Sequence, residues 1–228
     1  RCCDKLKEYD FREFMVDVNM VLKIHPSWSS MNDYLASMNT KFRTKAKSCF
    51  KKSKDVVVIE LDVNLIEENK QKIEELYLNV VDNAEFQFSK LNGDTFLKLK
   101  ENLGDKFLIY GYFYENNLVG FSTAFINNDV LEAGYIGLNY NYNYKYAIYQ
   151  KMLYKYVEQG IIINSTELRL GRTAEEIKST LGAEPINMKL YARHRNSLSN
   201  ALIKPIIESI SPSKFDIRKP FKATFLGL

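Results

Sequence analysis

Residues 107–140 read FLIYGYFYENNLVGFSTAFINNDVLEAGYIGLNY, and this stretch decides the fold. The aromatic-rich run Phe107 to Tyr114 predicts a strand bounded by turn signals. Glu115-Asn116-Asn117 is a tight turn, and Leu118 to Ile126 predicts the antiparallel partner. Asn127-Asn128-Asp129 turns the chain again, into a third strand from Val130 to Tyr140. Strands joined by such short turns form an antiparallel meander.

Downstream of the meander, Ile148, Met152, Leu153 and Tyr156 predict one apolar face of a helix from about Tyr144 to Gln159, with Gly160 as its stop. Glu167 to Gly171 predicts a strand. Thr173 with Glu176 has the capping-box spacing for a short helix ending at Gly182. Pro185 to Arg193 predicts another strand, and Leu198, Leu202, Ile206 and Ile210 one face of a last helix. Upstream, a helix from Asp94 to Gly104 turns Phe96, Leu99 and Leu103 inward. Before it, Asn64 with Glu67 caps a helix carrying Ile66, Ile73, Leu76, Tyr77 and Val80 on one face. Asp55 to Asp62 predicts the strand that precedes it.

The β-rich segment 11–24 comes first, followed by a loop at His25-Pro26-Ser27-Trp28. Ser30, with Asp33 three residues on, then caps a helix bearing Tyr34, Leu35, Met38, Phe42 and Phe50. A meander followed by helical crossovers predicts a mixed α+β sheet. Residues 1–54 form a strand and basic-helix extension, and residues 55–228 the main domain, the two packed as one unit.

Composition narrows the function classes. Hydrophobic residues are 46% and charged residues 26% of the 228, the balance of an ordinary globular chain. No apolar run reaches the roughly 18–20 residues of a spanning helix. The three cysteines, Cys2, Cys3 and Cys49, are odd in number, and two are adjacent. That pattern fits a reducing, cytoplasmic setting and not a secreted disulfide framework. With only His25 and His194 and no CxxC, no metal site is expected. The net charge of +4 is too mild to demand a nucleic-acid partner. The first residue is Arg and not Met, so the chain is expected to be a processed product or a fragment, and no signal peptide is retained.

The element order, with the hairpin Tyr114-Glu115-Asn116-Asn117-Leu118-Val119-Gly120-Phe121, resembles the GNAT (Gcn5-related N-acetyltransferase) fold over about residues 55–195. A narrower set is similar to bacterial peptidoglycan biosynthesis/recognition GNAT-like proteins, relatives of the Fem-type aminoacyl transferases. It comprises Tyr135-x-Gly137, Tyr149, Leu170-Gly171-Arg172-Thr173, Lys178-x-x-Leu181-Gly182-Ala183 and Tyr191-x-Arg193. Tyr34-Leu35 with Lys41-Phe42-Arg43 resembles another segment of those proteins. The resemblance implies a mostly antiparallel twisted sheet flanked by helices, and an acyl-CoA or aminoacyl-tRNA donor. Relatives of this type often contain two GNAT-like halves. One departure stands out. GNAT enzymes hold the acetyl-CoA pyrophosphate on a glycine loop and helix N-terminus after the fourth strand. Here Asn139-Tyr140-Asn141-Tyr142-Asn143-Tyr144 occupies that place with no glycine.

The candidate site residues follow from this chemistry. Glu132 lies on the strand where GNAT enzymes place a general base for the attacking amine. Tyr135 and Tyr144 are candidates for the acid that protonates the leaving group. Tyr140, Tyr142 and Arg172 are candidates for holding the donor, guanidinium being a bidentate ligand for phosphate. Phe86, Phe88, Lys178 and Arg193 are candidates for an acceptor groove. Lys41, Arg43, Lys45, Lys47, Lys51, Lys52 and Lys54 run without an acidic neighbour and could dock tRNA, an anionic glycan or CoA phosphates. Three functions compete. The first is an N-acyltransferase moving an acetyl or aminoacyl group to a primary amine on a sugar, peptide or polyamine. The second is a GNAT-shaped binding module without catalysis, and the third an RNA-associated protein using the basic helix.

Overall fold

The computed structural model describes residues 2–83, 90–196, 199–200 and 215–225. Phe86, Phe88 and most of the expected last helix lie outside these residues. The elements are α1 (Cys2–Glu8), β1 (Arg12–Lys23), α2 (Met31–Ser37), α3 (Thr40–Lys52), β2 (Val57–Glu60), α4 (Val63–Val81), α5 (Gly93–Leu103), β3 (Phe107–Tyr114), β4 (Asn117–Asn127) and β5 (Val130–Leu138). They continue with α6 (Tyr140–Tyr146), α7 (Ile148–Ile162), β6 (Glu167–Arg169), α8 (Glu175–Ser179) and β7 (Glu184–Ala192).

All strands share one seven-stranded sheet in the order β2-β3-β4-β5-β6-β1-β7. The meander forms as expected. Glu115 and Asn116 adopt φ of 47° and 63°, the left-handed pair that a two-residue hairpin turn needs. Strand alternation sorts the side chains to two faces. Phe107, Ile109, Leu118 and Phe121 meet Ile66, Ile73, Leu76 and Tyr77 of α4 and Phe96 of α5. Leu108, Tyr110, Tyr112, Val119 and Leu131 meet Met152, Leu153, Tyr156 and Val157 of α7 on the opposite face. The buried tyrosines find partners: Tyr156 donates to the Thr123 carbonyl (2.9 Å), Tyr34 to the Leu181 carbonyl (2.9 Å), and Tyr112 pairs with the Ser122 hydroxyl (3.1 Å).

The N-terminal strand does not lie beside the sheet. β1 is inserted between β6 and β7, antiparallel to both. Its helix α3 packs over α7, with Phe50 edge-on to Tyr154 at 5.0 Å.

Several local expectations are corrected. The Ser30 cap forms, its hydroxyl accepting from the Asp33 amide at 3.3 Å. The helix it opens stops at Ser37, and a second begins at Thr40, because Met38 is extended and the Asn39 amide is bonded to the C-terminal segment at Pro220. Asp62, not Asn64, caps α4, accepting from the Leu65 amide at 2.8 Å. Leu103 is exposed, not inward. α7 runs through Gly160, where a side chain would crowd Ser165 and Ile24. Thr173 forms no capping box. It sits at φ 63°, and α8 begins after Ala174 with no side-chain cap.

Candidate functional site: a crevice where two parallel strands part

β5 and β6 pair in parallel through Val130–Glu167, Leu131–Leu168 and Glu132–Arg169. There the pairing ends. β5 continues to Leu138 on its bonds to β4. The chain after β6 turns to β1 instead: the Leu170 amide donates to the Met20 carbonyl (2.8 Å) and the Gly171 amide to Asn19 Oδ1 (3.0 Å). A slot therefore opens between residues 133–138 and residues 170–172.

A β-bulge shapes one wall of that slot. The register passes from Ala124–Ala133 to Ser122–Ile136, so β5 carries one extra residue. The buried Thr123 hydroxyl fills the gap, accepting from the Tyr135 amide at 2.7 Å and donating to the Tyr135 carbonyl at 3.1 Å. Gly134 is needed beside it, because a Cβ there would stand 2.6 Å from Thr123 Oγ1. The bulge turns the Tyr135 ring toward α4 and α5, edge-on to Tyr77 and Phe96 at 6.0 and 5.9 Å.

On the other face, β5 leads through α6 into α7, and β6 leads into α8. Ligands bind in such crevices in parallel sheets because the loops and helix starts converge there. The two helices flank a cleft of about 420 Å³, lined by Gln150, Leu153 and Tyr154 of α7 and by Glu176, Ile177 and Thr180 of α8. Lys41, Phe42 and Lys45 of α3 and Arg218 of the C-terminal segment complete it. Arg218 is engaged with Glu176 (3.5 Å) and Asp216 (3.6 Å). Lys41 and Lys45 face no carboxylate within ion-pair distance among the described residues.

The segment without glycine is helical. Asn139 caps α6 with its own carboxamide, accepting from the amides of Asn141 (3.1 Å) and Tyr142 (3.4 Å). Asn143 does the same for α7, accepting from the Tyr149 amide at 2.8 Å. Between the helices, Ala147 is held in the left-handed region at φ 52°. Three amides of the segment where the resemblance implies a pyrophosphate site, those of Asn141, Tyr142 and Tyr149, are thus taken by side chains of the chain itself. The residues do not fit the pyrophosphate of an acyl-CoA at this place.

The expected site residues scatter over both faces. Glu132 stands in the last parallel pair, ion-paired to Arg169 at 3.0 Å, and Arg169 also reaches Glu167 at 3.3 Å. Glu132 and Tyr135 flank the slot from the α4–α5 side. Tyr142 is half-buried beneath α6, its ring 5.6 Å from Tyr114 and 6.1 Å from Tyr146. Tyr140 is 45% and Tyr144 92% exposed. Arg172 lies at the slot's end, 4.0 Å from Asp17. Lys178 is only 4% exposed, and its ammonium donates to the Gly171 and Arg172 carbonyls at 3.4 and 2.5 Å. Burial pulls its pKa down from 10.5 to about 8, against the opposing pull of Glu175 and Asp17. It ties down the end of β6. Arg193 is exposed past the far end of β7 and is not gathered with the others. Thr123, Asn139 and Arg218 are the residues that sequence reasoning missed. Of these only Asn139 carries a local signal, as an N-cap residue ahead of the tyrosine-rich turn.

No protein-family model matches the sequence, and no curated protein matches it. Solved structures do. FemX aligns with a TM-score of 0.61 over 91% of this chain and 71% of its own, at 9% identity. The C-terminal domain (DUF2156) of a lysylphosphatidylglycerol synthetase candidate from Agrobacterium fabrum aligns with a TM-score of 0.57 over 91% of this chain and 70% of its own, at 8% identity. L-PGS from Bacillus licheniformis aligns with a TM-score of 0.55 over 88% and 68%, at 10% identity.

The chain has a GNAT-like fold.

In this fold the parted parallel pair is the resemblance's fourth strand and the strand after it, and α6 stands where the glycine loop was expected. β1 completes the sheet between the last two strands. No described helix is long and apolar enough to cross a membrane. Among the described residues no group of three or more His, Cys, Asp or Glu could hold a metal ion.

Proposed function

We propose that the chain is an N-acyltransferase of the Fem-related type that takes its acyl group from an aminoacyl-tRNA and delivers it to a primary amine. The observation that carries this reading is the pair Lys41 and Lys45, with no carboxylate within ion-pair distance among the described residues, on the wall of the cleft between α7 and α8. Cations in a cleft whose one lining carboxylate, Glu176, is already engaged by Arg218 favour a phosphate-bearing ligand. The capped α6 speaks against acetyl-CoA as that ligand.

In the reaction, the acceptor nitrogen bonds to the acyl carbonyl carbon. The bond from that carbon to the ribose oxygen breaks, and the proton shed by the nitrogen ends on the leaving oxygen. The donor enters from the α7–α8 side, and the acceptor meets it from the α4–α5 side. In this reading Glu132, at the base of the slot, takes the proton, and Tyr135 borders its path. Most of the rate arises from holding the two reactants in line. The Glu132–Arg169 ion pair favours a second reading, a binding module in which that carboxylate only closes the sheet.

Transfer of a radiolabelled aminoacyl group from charged tRNA to a panel of amines tests the proposal, with calorimetric titration of acetyl-CoA alongside. Transfer without saturable acetyl-CoA binding is the expected result. Micromolar acetyl-CoA binding with acetyl transfer would replace the donor, and tRNA binding without any transfer would leave the binding module.

A further inference from the structure

The tyrosines of α6 carry a second inference, which rests on the tRNA-donor reading. Tyr140 and Tyr144 are four residues apart, so they project from one face of the helix about one turn, roughly 6 Å, apart. Their rings are the exposed ones. Tyr146 lies buried beneath them, its ring 4.5 Å from that of Tyr114. Lys145 stands 5.0 Å from the Tyr146 ring centroid. Caps at both ends hold this short helix in place: Asn139 at its start, and the left-handed Ala147 with the Asn143 carboxamide at its finish.

The platform stands on the element that precedes the α7 wall of the cleft. α6 leads directly into α7, and α3 touches the joint, with Cys49 Sγ 3.9 Å from the Ala147 carbonyl. α3, the helix that carries Lys41 and Lys45, therefore packs against the end of the helix that bears the exposed rings. Exposed tyrosines beside cations without carboxylate partners form a surface on which unpaired bases stack while the backbone is neutralised. A folded RNA duplex offers no base faces, whereas a single-stranded end does.

We infer that Tyr140 and Tyr144 form a stacking platform for the unpaired 3′ end of an RNA, the end that bears the aminoacyl ester. Lys145 and the α3 lysines contact its phosphates. The platform steers that end toward the slot.

The test uses the full chain and two probes. One is a tRNA, intact or trimmed of its single-stranded 3′ nucleotides. The other is a short single-stranded RNA with 2-aminopurine at its 3′ end. Tyr144→Ala should weaken intact tRNA binding by about 5- to 150-fold, the range for losing one stacked base. It should leave the weaker binding of trimmed tRNA unchanged and abolish the quenching of 2-aminopurine. Tyr144→Phe, which keeps the ring, should behave as wild type. Intact tRNA bound equally by wild type and Tyr144→Ala overturns the platform and leaves the donor reading standing. Quenching that depends on Tyr144, with no aminoacyl transfer from any tRNA, overturns the donor reading and leaves the platform standing. Unquenched oligonucleotide, or rings that bind a neutral oligosaccharide and not RNA, overturns the platform.

Discussion

The Thr123 hydroxyl clamps the backbone of Tyr135 at two points, taking its amide proton at 2.7 Å and donating to its carbonyl at 3.1 Å. An extra residue in β5 would otherwise leave both groups without ladder partners. One side chain on the neighbouring strand thus sets which way the slot-lining residue faces.

Thr123→Val keeps the shape and removes the clamp. It should destabilise the protein by about 1–3 kcal/mol, since it strands the part-buried amide and carbonyl of Tyr135. Denaturant midpoints at constant m-value measure it. An unchanged midpoint would mean that water or a relaxed bulge replaces the hydroxyl.

Lys178 makes stability rise with pH in one window. Its folded pKa of about 8 lies below the ordinary 10.5, so between these values the unfolded chain binds more protons. The penalty for burying the ammonium is full below pH 8 and relieved as pH climbs toward 10.5. Unfolding free energies of wild type and Lys178→Met, compared from pH 7.5 to about 10.5, should converge on a smaller slope in the variant. Equal slopes would show that this lysine titrates normally.

Gly182→Ala should cost about 2–6 kcal/mol. The residue sits at φ 94°, and an added Cβ would meet the Phe221 ring. Backbone strain and overpacking each contribute about 1–3 kcal/mol. Shortening the ring in Gly182→Ala/Phe221→Leu should recover the packing part and not the backbone part, as read by thermal unfolding.

Glu132→Gln keeps a hydrogen-bond acceptor for Arg169 and removes the base. Transfer should fall about 100-fold or more with tRNA affinity unchanged. A rate within a factor of about three of wild type would exclude proton transfer through this residue.

Lys41→Glu with Lys45→Glu should weaken tRNA binding and flatten its salt dependence. Each lost phosphate contact reduces the slope of log K against log salt by about 0.7–0.9. Affinity measured from about 50 to 200 mM salt decides it. An unchanged slope would place the RNA elsewhere.

Much of the fold was legible from local patterns. Turns at Glu115-Asn116 and Asn127-Asn128 marked the meander, because only residues tolerant of left-handed geometry suit such turns. The apolar spacing of Ile66, Ile73, Leu76 and Tyr77 marked α4. Ends were less legible. Asn64 and Asp62 both qualify as caps, and which one closes the helix depends on where β2 releases the chain. Thr173 has a capping spacing, yet it stands in a left-handed conformation just past the strand end tied by Lys178. Of the site, Glu132, Tyr135 and the basic run were visible as residue types. Their division between two faces was not, since one bulge residue reverses every side chain beyond it.

The sequence by itself determined the element order, the antiparallel meander and a tyrosine-rich turn without glycine, because these depend on neighbours within a few residues. Tertiary structure decided that β1 enters between β6 and β7, that β5 and β6 part after Glu132 and Arg169, and that α3 brings Lys41 and Lys45 to the opening. Backbone hydrogen bonds are the same for every strand. Which strands pair is therefore chosen by burial across the whole sheet, a quantity no single segment contains.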